Sequence, residues 1–261
     1  MLLAFGLFVF GYVVSMTFTS VFYHRALAHE AIEISPRMKK LIGLTGMLIT
    51  GIDPKGWVCM HRLHHEHSDT PLDPHSPAHT GFWYTFIKQH KSFERILVKL
   101  IKRDKEFEKI VRDIPFDVHF LNKMGLWYVP FVLHAIVGVI IGTAFDNYLA
   151  GFAYFIGICG HPLQGFLVNA FGHSIGYRNF NCPDQSTNNT FVALTCFGEG
   201  YQNNHHRFPT SPKFSIRSSE IDFGFGIIKI LSLLNVVKIY RDQIPKGESA
   251  SLSSLEMLEN N

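Results

Sequence analysis

The sequence predicts an all-α integral membrane protein. A few transmembrane helices form a stem, and a cytosolic helical cap holds a histidine-rich dimetal site. Three observations carry this. Long apolar runs alternate with charged stretches. Every Lys and Arg lies outside those runs. Three histidine clusters sit in the charged stretches: His24 and His29 in HRALAH, His61, His64 and His65 in HRLHH, and His205-His206 in GEGYQNNHHRFP.

The first apolar run, residues 2–23, would make about 33 Å of helix at 1.5 Å per residue, enough to cross a bilayer. Residues 124–145 form a second run and 148–171 a third, and only Asp146 and Asn147 part them, so they read as a tight helical hairpin. Residues 40–52 are apolar but too short to cross, as are residues 227–237. Residues 2–23 are too long for a signal-peptide core and lack a basic leader.

All 24 Lys and Arg lie between residues 24 and 123 or after residue 171. By the positive-inside rule, 24–123 and 172–245 face the cytoplasm and form the cap. The three histidine clusters then share one side. The first residues would face outward on a very short tail, so a further helix is expected before residue 1. Residues 1–245 read as a single domain. Residues 95–113 have apolar positions at helical spacing and read as an amphipathic surface helix. The Ser- and Glu-rich residues 246–261 read as a disordered tail.

Composition excludes several classes. A net charge of +3 gives no reason to invoke nucleic acid. Cys59, Cys159, Cys182 and Cys196 are far apart with no C-x-x-C pair, which argues against a disulfide framework, a zinc ribbon or an iron–sulfur cluster.

Neutral imidazole is the commonest ligand for iron, copper and zinc. His61, His64 and His65, at i, i+3 and i+4, put three rings on one helical face, with Trp57 one turn earlier. His24 and His29 are about 140° apart on an ideal α-helix. They would serve two metals, or the helix would end between them. His205 and His206 are adjacent, so their rings diverge toward two ions. His173 adds a further ligand, with Asn169 four residues before it on the same face. Those eight histidines are the candidate metal ligands, too many for one ion and suited to two. No Glu-x-x-His pair appears at the spacing of carboxylate-bridged di-iron bundles. His161, about 18 Å along a helix from His173, belongs to the bundle or to a pocket wall. His67 and His75 read as residues behind the ligands, and Asp73 as turn chemistry. His79, His90, His119 and His134 read as surface or hydrogen-bonded histidines.

HRALAH, HRLHH and QNNHH together resemble the histidine boxes of the membrane fatty acid desaturases, specifically the acyl-CoA delta-9 desaturase-like branch. DPHSP with GFW at 81–83, Asn169 with His173, GYR at 176–178, GEGY and FP extend the resemblance over about residues 10–240. It implies two Fe ions (Fe2+/Fe3+) and molecular oxygen as co-substrate. The implied reaction is delta-9-type removal of two hydrogens from an unactivated position of a fatty acyl chain. That chain would ride on coenzyme A, an acyl carrier protein or a lipid. It also implies a mushroom-shaped fold with a kinked acyl tunnel; Trp57, Trp83 and Tyr201 either line that tunnel or serve as packing residues. No cytochrome b5-like heme motif is present, so electrons come from a separate donor: ferredoxin, rubredoxin, or cytochrome b5 with a reductase. Arg25, Arg62 and Arg207 meet a carrier phosphate or lipid head group, or pair with acids of the cap.

Three departures stand out. Gln202 occupies a histidine position of the third box, which makes it a metal neighbour or a residue behind the metal. Phe86 replaces a histidine. Fewer apolar runs are visible than the family's four. The alternatives to a desaturase are a hydroxylase or ketolase on the same scaffold, or a catalytically silent metal-binding membrane protein.

Overall fold

The computed structural model describes residues 1–239, and the Ser- and Glu-rich tail lies outside them. One helix, α1, runs from Leu2 to Ala28. Its first part, Leu2–Met16, is α-helical, and Thr17–Ala28 is wound in the wider π form. Strand β1 (Ile32–Ile34) follows, then α2 (Pro36–Thr50) and α3 (Pro54–His67). Ser35 and Asp53 accept from Met38 N and Gly56 N, and each is followed by a proline in the first helical turn, a sequence-encoded start. Gly51 takes φ 74° and ends α2 in the left-handed region, which turns the chain into α3.

Residues 95–113 do not form one amphipathic helix. Helix α4 (Thr85–Ile101) starts ten residues earlier, and α5 (Lys105–Ile110) follows a break. Arg103 sits at φ 58° and Asp104 caps α5 through Glu106 N, so the break is built into two residues. Ile96 and Leu100 of α4 enter a core with Val21, Leu27 and Val58, beneath the histidine-bearing turns of α1 and α3.

The second apolar run is helical over a shorter stretch than 124–145. After α6 (Phe120–Lys123), Gly125 turns at φ 73°, and α7 (Val129–Ala144) starts with Pro130 in its first turn. Asp146 and Asn147 make the turn, Asn147 caps Ala150 N, and α8 (Tyr148–Cys159) returns. The third run is broken. It bends by 41° between α8 and α9 (His161–Phe171). Gly160, the pre-proline residue His161 and Pro162 cannot continue an α-helix smoothly, because the proline ring disfavours α geometry before it and supplies no N–H.

Among the described residues, helix α1 alone is long and apolar enough to cross a membrane, and the bent α8–α9 pair passes the same test if taken as one span. Helix α7, at 16 residues, falls short of the roughly 20 of a straight crossing. The three helices pack through glycines. A methyl at Gly157 would lie 2.3 Å from Phe8 O, and one at Gly151 would lie 1.9 Å from Gly138 O, so backbones touch where larger residues would part them. Away from these seams, Phe5, Phe10, Ile136, Ile140, Leu149 and Phe152 are exposed.

The remaining described elements pack around α1 and α3. They comprise α10 (Thr190–Thr195), α11 (Gln202–Arg207), α12 (Phe223–Leu233) and β2 (Val237–Ile239). Strand β2 pairs antiparallel with β1, Ile32 opposite Ile239, a two-stranded addition to an otherwise helical fold. The apolar residues 227–237 therefore divide, the first part ending α12 and the last entering β2.

Candidate metal centre

The π winding of α1 resolves the His24–His29 spacing. Hydrogen bonds in a π-helix join residues five apart, and His29 N donates to His24 O at 3.1 Å. The two rings therefore lie 5.0 Å apart, not on opposite faces. Both join His61 and His65 of α3 and His205 of α11, the ligand atoms of the five all within 4.8 Å of one another. His24 Nε2 and His65 Nε2 each stand 3.0 Å from His205 Nε2, and His29 Nε2 is 2.7 Å from His61 Nε2.

A second group joins His64, His173 and His206. His64 Nε2 lies 3.3 Å from His206 Nε2. The three histidines of α3 are thus shared: His61 and His65 go to the first group and His64 to the second. The rings of His205 and His206 diverge by 86° and send one imidazole to each.

Four carboxylates stand behind these rings. His24 Nδ1 meets Glu199 Oε2 at 2.5 Å, His64 Nδ1 meets Asp73 Oδ2 at 2.9 Å, His173 Nδ1 meets Asp69 Oδ2 at 2.9 Å, and His206 Nδ1 meets Asp184 Oδ2 at 2.8 Å. Each Nδ1–H donates to its carboxylate, which fixes the tautomer and turns the Nε2 lone pair inward. The sequence reading did not identify these four acids. Asp73, read as turn chemistry, does make a turn, accepting from His75 N, and also holds His64.

The residues fit a pair of metal ions. Imidazole nitrogens bound to one ion at roughly 2.1 Å stand about 3.0 Å apart across a right angle, the separations seen here. His173 Nε2 is buried with no hydrogen-bond partner, as an uncoordinated ligand atom would be. Burial, then neighbouring histidines, pushes the imidazoles of His61, His64, His65 and His205 well below their ordinary range. They are neutral and able to bind metal. Burial alone would raise the Glu199 carboxyl, but His24 and Arg25 hold it below the usual carboxylate value, so it is an anion.

Gln202 is buried beside the centre and donates from Nε2 to Glu199 O at 2.8 Å. Asn169 donates to Gln89 Oε1 at 3.1 Å. Both line a cavity of about 540 Å³ that begins at His24, His61 and His64 and runs along α4 and α9. Trp57 lines it too and stacks on His61, ring centroids 5.0 Å apart. Trp83 and Tyr201 do not. Trp83 is exposed and stacks on Phe166, while Tyr201 is fully buried and accepts from Ile221 N. His75 is buried against His64, rings 4.3 Å apart. Arg25 pairs with Asp222 at 3.1 Å and Arg62 with Asp113 at 2.5 Å, so both pair with acids.

The sequence profile described as "Fatty acid desaturase" matches residues 1–218. The hex-5-enoyl-[acyl-carrier protein] acetylenase of Moorena producens (strain JHB) is 32% identical over 248 residues, 89% of this chain and 75% of that protein. The acyl-CoA C20 Delta5-desaturase of Anemone leveillei is 32% identical over 84% of this chain and 67% of its own length. The sn-1 stearoyl-lipid 9-desaturase of Anabaena variabilis is 30% identical over 82% and 75%. The chain belongs to the fatty acid desaturase family, oxidoreductases that act on fatty acyl chains.

Proposed function

We propose that this chain carries out an oxygen-dependent, delta-9-type desaturation of a fatty acyl group. One iron ion is held by His24, His29, His61, His65 and His205, the other by His64, His173 and His206. The observation that carries the reading is the juxtaposition of two inward-facing imidazole groups with one cavity. A bound di-iron centre supplies the oxidising power that takes hydrogens from an unactivated carbon.

The chain's own residues set the position and keep out water. Trp57, Phe93, Leu97 and Val168 give the cavity apolar walls that hold a hydrocarbon beside the histidines. Glu199, Asp73, Asp69 and Asp184 hold the Nδ1 protons away from the ligand face. Asn169, held by Gln89 Oε1, gives the cavity wall a polar group, and Gln202 braces the Glu199 backbone behind His24.

Electrons come from a separate ferredoxin, rubredoxin, or cytochrome b5 with its reductase. The exposed apolar faces of α1, α7 and α8 sit in a bilayer, and the positive-inside rule puts the centre on the cytoplasmic side. The relatives' names place their acyl groups on a carrier protein, coenzyme A or a lipid. The same three are the candidate carriers here.

Expression in a host lacking its own desaturase, followed by gas chromatography–mass spectrometry of total fatty acids, tests the reading. A new mono-unsaturated acid is expected, with its double bond at carbon 9. A new hydroxyl or keto acid would make the chain a hydroxylase or ketolase. An unchanged profile from protein that carries iron would make it catalytically silent.

A further inference from the structure

Helix α9 shows the cavity one stripe: His161, Gln164, Gly165, Val168 and Asn169, at i, i+3, i+4, i+7 and i+8. Near the metal centre this stripe is satisfied. Asn169 donates to Gln89, and Gln89 donates on to Pro162 O at 3.1 Å. At the bend below Gly160 it is not. His161 Nδ1 and Gln164 Oε1 are buried without a hydrogen-bond partner, and the two residues are only 7% and 6% exposed. The Tyr12 hydroxyl donates its one proton to Thr195 O, so it accepts from Gln164 Nε2 and leaves Oε1 unmatched.

An unpaired buried polar group is costly, and two such atoms belong to residues that line the cavity. They lie far from the second histidine group, because His161 opens α9 and His173 lies just past its other end. Among the described residues no Lys or Arg lines the cavity, so a carboxylate there would find no counter-charge. An amide and an imidazole together offer donors and acceptors to a neutral oxygen.

We propose that His161 and Gln164 form a polar subsite for an uncharged oxygen function, a hydroxyl borne on the acyl chain well away from the carbons that react. The inference rests on the fatty acyl reading above and deepens it. The subsite sits at the 41° bend where α8 gives way to α9.

Native mass spectrometry of the detergent-purified protein tests this with octadecanoic acid and its 12-hydroxy and 18-hydroxy forms. One hydroxylated acid is expected to bind about tenfold more tightly than the plain chain. His161→Phe or Gln164→Leu should lower that ratio, and the double variant should bring it to about one. His161→Asn, which keeps a polar side chain, should retain part of it. Equal binding of all three acids by the wild type would overturn the proposal and leave water as the subsite's occupant. So would a preference that survives the double variant. Both results leave the fatty acyl reading intact; a host profile without a new unsaturated acid tests that reading separately.

Discussion

His24 Nε2 faces His205 Nε2 at 3.0 Å, although 181 residues separate them. One comes from the last turns of α1 and the other from the short helix α11. His205 also stands 3.0 Å from His65 Nε2, so a single imidazole ties three elements into the first group.

Replacing His205 by Ala should therefore empty the first group and spare the second. Iron measured by plasma mass spectrometry should fall from about two per chain to about one. Product formation should drop by more than 100-fold. Two ions retained in the variant would contradict the ligand assignment.

Glu199 acts through His24. Substituting it by Gln keeps the size but removes the anion that fixes the imidazole, and losing the group that holds a metal-binding ring costs about 10–100-fold in metal affinity. The expected readout is iron released at a correspondingly lower concentration of chelator. Asp184→Asn should do the same for the second group, through His206.

The apo protein should lose stability in acid, and the sign follows from the histidines. His61, His64, His65 and His205 have pKa values pushed down by burial, so below the ordinary histidine value of about 6.5 the unfolded chain binds more protons than the folded one. Unfolding free energy then rises with pH in that range and is lost as pH falls from 6.5. Thermal scans of metal-free protein should show the midpoint dropping between pH 6.5 and 5 and flat above pH 7.5. A midpoint that held steady down to pH 5 would mean that these rings are not buried as neutral groups.

Gly151→Ala places a methyl 1.9 Å from Gly138 O, a backbone atom with nowhere to go. The α7–α8 hairpin must open, and overpacking of this sort costs about 1–3 kcal/mol. A lower melting midpoint in detergent is expected. Gly6→Ala, which meets nothing within 4 Å, should leave it unchanged.

The histidines could be read from sequence because their chemistry is unusual for residues flanking apolar runs and their spacing is local. How they are shared out could not. The α-helical rule of 3.6 residues per turn separates His24 from His29, and only the π winding reunites them. The four acids behind the rings were hidden because Asp69, Asp73 and Asp184 lie in loops, where an Asp has an ordinary turn role. Glu199 sits in a glycine turn, and its pairing with His24 spans 175 residues. The bend at Gly160 was written in Gly-His-Pro, yet the hydropathy of residues 148–171 reads straight through it. Trp83 and Tyr201 went to other surroundings because aromatic residues near a box serve packing as readily as a cavity wall.

The winding of α1 carries one more consequence. The same unbroken rod carries exposed apolar side chains at its start and His24 and His29 at its finish, with no joint between to absorb a tilt. For a chain seated in a bilayer as proposed, membrane thickness would reach the catalytic geometry mechanically. Turnover in vesicles of graded acyl length should then peak at one thickness, and the metal should be retained best at that same thickness.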